Sequence, residues 1–352
     1  MMADTKTEKR TSIGGQALIE GVMMRGPHKT AMAVRDPAGQ IVLEQWDNPV
    51  NKRPAWTKWP FVRGLFNFYD SMRYGYKCLM RSAELSGLDD EDDGKAKKAD
   101  ERKAETAEAA DEQSAGSAEM ADAAQEPERV HKTDGKQSTK STERSMTAVM
   151  IAATVLGVGL ALILFMWLPI QLFSWLAKAV PELDHRYIRG VFEGVLRIVI
   201  FLAYMLAVSR MKDIRRTFQY HGAEHKTIFC YEKGLPLTVE NVRPQRRFHP
   251  RCGTSFLILM LIVGILISIL IPIETPLLRT VVKLLLLPLT VGIGYELIKL
   301  AGRKDNAFTR IISAPGMWMQ HITTIEPDDG MIECAIASLK AVIPNDPEDD
   351  RW

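Results

Sequence analysis

The sequence predicts a mainly α-helical membrane protein. It would have about four transmembrane helices, a small β-containing N-terminal unit and a helical C-terminal tail. Three observations lead there. Long uncharged stretches fill the second half, and Ser145–Ala177 and Cys252–Ile273 contain no charged residue at all. A polar tract rich in Ala, Glu and Lys fills the middle. Charge is segregated: 45 Lys+Arg almost balance 43 Asp+Glu, yet residues 89–129 alone carry a net of −9 and leave the rest at about +11. Those contrasts exclude a single soluble globular domain, and four cysteines in 352 residues exclude a disulfide scaffold. The opening MMADTKTEKRTSIGG has no apolar core, so no cleavable signal peptide is expected.

Residues 12–86 read as an N-terminal unit. Thr30–Val34 and Gln40–Leu43 flank Asp36-Pro37-Ala38-Gly39, where Pro suits an early turn position and Gly a late positive φ, which predicts a hairpin. A helix follows over 60–86. Phe61, Leu65, Phe68, Met72, Tyr76, Leu79 and Ala83 recur at spacings of three and four, an apolar stripe for packing within the unit, or for lying on a membrane surface or against the helix bundle. Residues 87–143 hold too few large apolar side chains to offset chain entropy and read as a disordered acidic tether.

Residues 144–302 form the expected membrane domain. Ser145–Ala177 and Cys252–Ile273 are long enough to span a bilayer; shorter uncharged runs at Ile198–Ser209 and Leu284–Tyr295 complete four spans when extended by a few residues. Loop 210–251 carries 10 Lys+Arg, against three in 178–189 and two in 274–283. The positive-inside rule therefore puts that loop and both termini in the cytoplasm of a cell-membrane protein. Glu193 and Arg197, spaced i,i+4 in one span, are expected to pair with each other, as a structural pair or as part of a transport path. Residues 303–352 read as a cytoplasmic tail with helices over Pro315–Thr323 and Pro327–Ile343. Met331, Ile332, Ala335, Ile336 and Leu339 would form the second helix's buried face.

Chemistry concentrates in Tyr220-His221-Gly222-Ala223-Glu224-His225-Lys226, which matches H-x-x-E-H, the inverted form of the zinc-protease helix motif. On a helix His221 and His225 project from one face, as two ligands of one metal must, and Glu224 can act as general base on a metal-bound water. The bland alternative is two surface histidines on a basic loop. His249 and Cys252 have H-x-x-C spacing at the mouth of the third span, and Glu296 falls at the same membrane face by topology. The three could converge on the histidine pair, with His249, Cys252 or Glu296 completing the shell and Zn²⁺ the best-suited metal. For Glu296, snorkelling or pairing with Lys299 is the competing reading. No phosphate-binding glycine loop or nucleophile elbow is present, and no nucleic-acid partner is expected.

The run Gly14-Gly15-Gln16-Ala17-Leu18-Ile19-Glu20-Gly21-Val22-Met23-Met24-Arg25-Gly26-Pro27 resembles the N-terminal signature of the YqhQ-like family. Tyr220–Thr227, His249–Phe256 and Glu326–Asp329 resemble its later blocks. The family comprises bacterial multi-pass membrane proteins of unknown function, often described as predicted metal-dependent enzymes. The resemblance implies that the metal site is real and adds Glu20 and Arg25 as candidates without assigning them a role. Met23 and Met24 are expected to fill the core.

Three functions compete. The first is a cytoplasm-facing metal-dependent enzyme, a Zn²⁺ hydrolase with His221 and His225 as ligands and Glu224 as base. The second is a non-catalytic assembly protein whose metal clamps the loop to the bundle. The third, a transporter, is disfavoured by four spans without an evident internal repeat. A closed shell of His221, His225, His249 and Cys252 would mark a structural site, and an open position a catalytic one. The bilayer is the expected partner. Self-association, substrate and metal identity are not specified by the sequence.

Overall fold

The computed structural model describes residues 10–48, 54–87, 154–183, 185–273, 275–303 and 306–350, with residue 152. The chain divides into two units, residues 1–88 with 165–352, and residues 89–164. Apart from Gly87, the expected tether lies outside the described residues.

The first unit opens with a four-stranded antiparallel meander: β1 (Gly14–Leu18), β2 (Gly21–Arg25), β3 (Lys29–Arg35) and β4 (Ile41–Asp47). The expected hairpin is β3–β4, with Arg35 opposite Ile41 and Gly39 at φ +82° in its turn. A helix, α1 (Val62–Leu85), covers one sheet face. There Leu18, Met23, Met32 and Cys78 form a small apolar core. The opposite face packs on two further helices, α4 (Lys212–Glu232) and α10 (Asp329–Val342). Val22, Met24, Ala31 and Ala33 meet Tyr220, Ala223, Met331, Ile332, Ala335 and Leu339 there. Both methionines of the N-terminal signature are therefore core, one on each side of β2.

The α1 helix forms where its periodicity predicts, but its buried side overlaps the expected stripe mainly near its C-terminal end, at Leu79 and Ala83. Gly64, Gly75, Cys78, Ser82 and Ala83 are buried, while Phe61, Leu65, Met72 and Tyr76 are exposed. Small residues win the contact because the neighbours come very close: a Cβ at Gly64 would lie 2.7 Å from that of Tyr295.

The apolar half is built from α2 (Leu168–Ala179), α3 (Arg186–Val208), α6 (Gly253–Leu270), α7 (Pro276–Leu285) and α8 (Leu287–Arg303). Among the described residues, three helices are long and apolar enough to cross a membrane: Thr154–Ala179, Tyr187–Val208 and Gly253–Leu270. The fourth expected span is a bent pair, α7 and α8, meeting at 48°. Between α4 and α6 lies the short α5 (Val239–Val242). The first tail helix, α9 (Ala307–Thr323), starts well before Pro315 because Asn306 and Thr309 form a reciprocal capping box, leaving the proline inside the helix. The second, α10, begins at its Asp328 cap and buries the five expected residues.

Leu339 sits fully buried between α10 and the sheet, so Leu339→Ala should destabilise the protein by about 2–5 kcal/mol. Leu235→Ala, at an exposed position, should stay within about 0.5 kcal/mol. Denaturant unfolding of the detergent-solubilised protein checks the contrast. Equal losses would contradict the assigned core.

Candidate metal centre

His221 and His225 lie on α4 one turn apart, in its buried second half. Each imidazole is fixed by a main-chain acceptor. His221 Nδ1 lies 2.8 Å from the Thr323 carbonyl at the end of α9, and His225 Nδ1 bonds the Arg247 carbonyl. An N–H at Nδ1 can donate to a carbonyl, so in its neutral form each ring carries its lone pair on Nε2. His221 Nε2 lies 3.1 Å from Cys252 Sγ. His225 Nε2 is buried and has no hydrogen-bond partner among the described residues. Donor atoms of His221, His225 and Cys252 all lie within 4.8 Å of one another, and all three residues are buried. A first-row metal with bonds of about 2.0 Å to nitrogen and 2.3 Å to sulfur fits that spacing after a small inward adjustment.

Cys252 is the N-cap of α6, and its sulfur accepts from Thr254 N at 3.4 Å. Burial opposes a charged thiol, but the adjacent His221 and His225 hold Cys252 well below the ordinary thiol range. Burial likewise opposes an imidazolium at His221, and the Cys252 sulfur outweighs it, raising His221 to about 9. Thiolate is the form that ligates a metal, and the two histidines move Cys252 towards it; a metal bound at Nε2 would displace the proton that His221 otherwise carries below about 9.

Glu224 is buried beside the three ligands but outside their group. Burial raises its carboxyl above the usual range, and the charges of His221 and His225 oppose that rise. The main-chain N–H of Gly15 donates to it. A side chain at residue 15 has no room, since a Cβ there would stand 2.8 Å from Glu224 Cγ, Cδ and Oε1. The N-terminal signature therefore reaches the site through Gly15. Gly222 does similar work on the other side of α4. A Cβ there would overlap the Ile325 carbonyl oxygen, so glycine lets the 323–327 segment approach and present the Thr323 carbonyl to His221.

His249 comes close without joining the ligand group. Its ring centroid is 5.6 Å from that of His225, but Nε2 lies 3.6 Å from Glu232 Oε2. Burial lowers its pKa. Glu232 also accepts from Thr11 N at 2.9 Å and pairs with Arg251. Gln320, fully buried, accepts from His249 N at 2.7 Å and donates to its carbonyl at 2.8 Å, pinning the segment that carries Cys252. Glu296 is not at the site: it pairs with Arg63 and accepts from Phe61 N, tying α8 to α1. Glu20, at φ +50° in the β1–β2 turn, pairs with Arg216 and accepts from Tyr220 Oη at 3.2 Å, fastening that turn to α4. Arg25 lies over the Tyr74 ring at 5.1 Å. Neither touches the three ligands.

The paired residues Glu193 and Arg197 are also rearranged. Glu193 Oε2 meets Lys283 Nζ at 2.6 Å and Oε1 lies 3.4 Å from Arg279 Nε. Arg197 Nε instead donates to the Phe165 carbonyl at 2.7 Å. Partners from α7, remote in sequence, displace the i,i+4 neighbour.

Cys252→Ala and the double variant His221→Ala/His225→Ala should each lose bound metal, whereas His249→Ala, whose ring faces Glu232, should keep most of it. Metal analysis of the purified protein checks all three, and wild-type stoichiometry in the double variant would refute the site. Gly15→Ala should leave metal content intact while displacing the Glu224 carboxylate, and should therefore mimic removal of that side chain in any functional assay.

Residues 59–345 match the family described as "Protein of unknown function (DUF1385)". The chain is 32% identical over 334 residues to the "Uncharacterized protein YqhQ" of Bacillus subtilis (strain 168), covering 94% of this chain and 92% of that one. No solved structure matches. With the family matched over most of its length, the chain belongs to the YqhQ-like family of proteins of unknown function.

Proposed function

We propose that the protein is a membrane-embedded, metal-dependent enzyme, a hydrolase whose site faces the cytoplasm. One observation carries this reading: two histidines and a cysteine converge, three donors and not four among the described residues, beside a buried carboxylate. His249, which could have closed the shell, is held by Glu232. Three protein donors with one position open is the arrangement of catalytic rather than structural zinc. Zn²⁺ suits a donor set of two imidazoles and one thiolate best. Bound there, it would supply Lewis acidity and lower the pKa of a ligated water. The chain's own residues do the rest. Carbonyls of Thr323 and Arg247 hold both rings in the metal-binding tautomer. Glu224, held by Gly15 N–H and raised by burial, takes a proton from the attacking water and can return it to a leaving group.

Glu224→Gln keeps the shape and removes the base. The variant should insert, fold and retain metal, yet fail to complement a deletion strain, because general base catalysis contributes about 10²–10⁴-fold. Full complementation at normal abundance would overturn the hydrolase reading and leave a structural metal clamp in its place.

Orientation follows from the basic residues of 210–251. The native cysteines described are all buried and make poor probes. An exposed substitution, Glu240→Cys, should be labelled by a membrane-impermeant thiol reagent only after permeabilisation. Labelling in intact cells would place the site on the outside.

A further inference from the structure

A second polar cluster lies among the apolar helices, far along the chain from the metal ligands. Glu193 and Arg197 come from α3, Arg279 and Lys283 from α7, and Ser268 from α6. Glu193, Arg197, Ser268 and Arg279 are buried, Glu193 completely, and the side chain of half-buried Lys283 is only 8% exposed. Arg197 stands 11 residues into α3, about 16 Å along its axis, well inside the helix read as a span. Three cations therefore surround one carboxylate where solvent cannot screen them.

Their commitments differ. Lys283 is matched to Glu193 at 2.6 Å. Arg279 donates to the carbonyls of Ser268, Ile271 and Ile273, capping the C-terminal end of α6, where the helix dipole is negative. Among the described residues, the hydrogen-bond partner of Arg197 is the Phe165 carbonyl, in the π-helical stretch Ile163–Trp167. Arg197 Nη2 and Ser268 Oγ are buried and have no hydrogen-bond partner among the described residues. Buried polar groups without partners are rare, and an uncompensated buried cation is rarer still. The two free donors and the excess positive charge ask for the same thing, an anion. Glu193 in the same cluster would repel a doubly charged one, and the depth along α3 separates the site from lipid phosphates.

We propose that this cluster binds a small monovalent inorganic anion, of the halide class, between Arg197 and the Arg279–Ser268 corner. The proposal rests on reading these helices as membrane-embedded and is independent of the metal centre. Chloride would accept from Arg197 Nη2 and the Ser268 hydroxyl and balance the surplus charge.

The test is thermal unfolding of the full-length protein in zwitterionic detergent, with sodium chloride exchanged for sodium gluconate at constant ionic strength. Wild type should gain stability saturably with chloride. Arg197→Gln should abolish the dependence or move its midpoint at least tenfold upward. Glu193→Gln, which removes the competing negative charge, should move it downward. Should Arg197→Gln fail to accumulate, Ser268→Ala gives the same upward shift at smaller size. Metal content should not change in any variant that folds. A flat chloride response in wild type, or an unshifted midpoint in both the Arg197 and Ser268 variants, overturns the proposal. Sulfate stabilising with the same midpoint as chloride overturns the monovalent assignment.

Discussion

The His221 and His225 rings can aim Nε2 at a common point only while carbonyl oxygens hold their Nδ1 atoms, and that requirement organises much of the polar half. Neither carbonyl belongs to α4. One comes from the end of α9 and the other from the segment leading to Cys252. Both segments must therefore lie flush against a helix that also packs on the sheet. Glycine at 222 makes the first approach possible, and Gln320 fixes the second by binding the His249 backbone from both sides. The sheet in turn brings the Gly15 N–H to Glu224. A site of four functional side chains thus draws on residues from 15 to 325.

Sequence made some of this legible and hid the rest for identifiable reasons. Two histidines one helical turn apart announce a shared face, because helical periodicity is local. Cys252 could be suspected from its place before an apolar run. Glu296 could not be placed the same way: a carboxylate at the end of an apolar helix needs a partner, and Arg63, more than 200 residues earlier, satisfied that need as well as a metal would. H-x-x-C spacing similarly says nothing about which way His249 turns, and buried Glu232 captured it. Strand β2 escaped notice because helices cover both its faces, so Val22, Met23 and Met24 are all buried and no polar alternation marks them. On α1, apolar periodicity identified the helix but not its inward face, since glycine and serine gave the closer contact.

The apolar half shows the same competition between near and distant partners. An i,i+4 pair is worth little on its own, about 0.2–0.5 kcal/mol on an exposed helix. Once α7 brings Arg279 and Lys283 alongside, Glu193 turns to them. Arg197 is left to a carbonyl in a π-helical stretch, a local departure from the regular ladder that leaves main-chain acceptors available.

Cys252 occupies the residue just before α6, while the two histidines belong to a helix anchored in the polar half. The ligand triangle therefore straddles two bodies that answer to different surroundings. Metal–ligand bonds tolerate about 0.2 Å, whereas a single residue of helix rises about 1.5 Å. A vertical slip of α6 by a small fraction of one residue would pull the sulfur out of bonding range. On the proposed reading of a membrane-embedded metal site, bilayer thickness, lateral pressure or the seating of α6 among its neighbours would each act on the triangle as a lever acts on a clasp, so the lipid surroundings would set how tightly an ion is gripped.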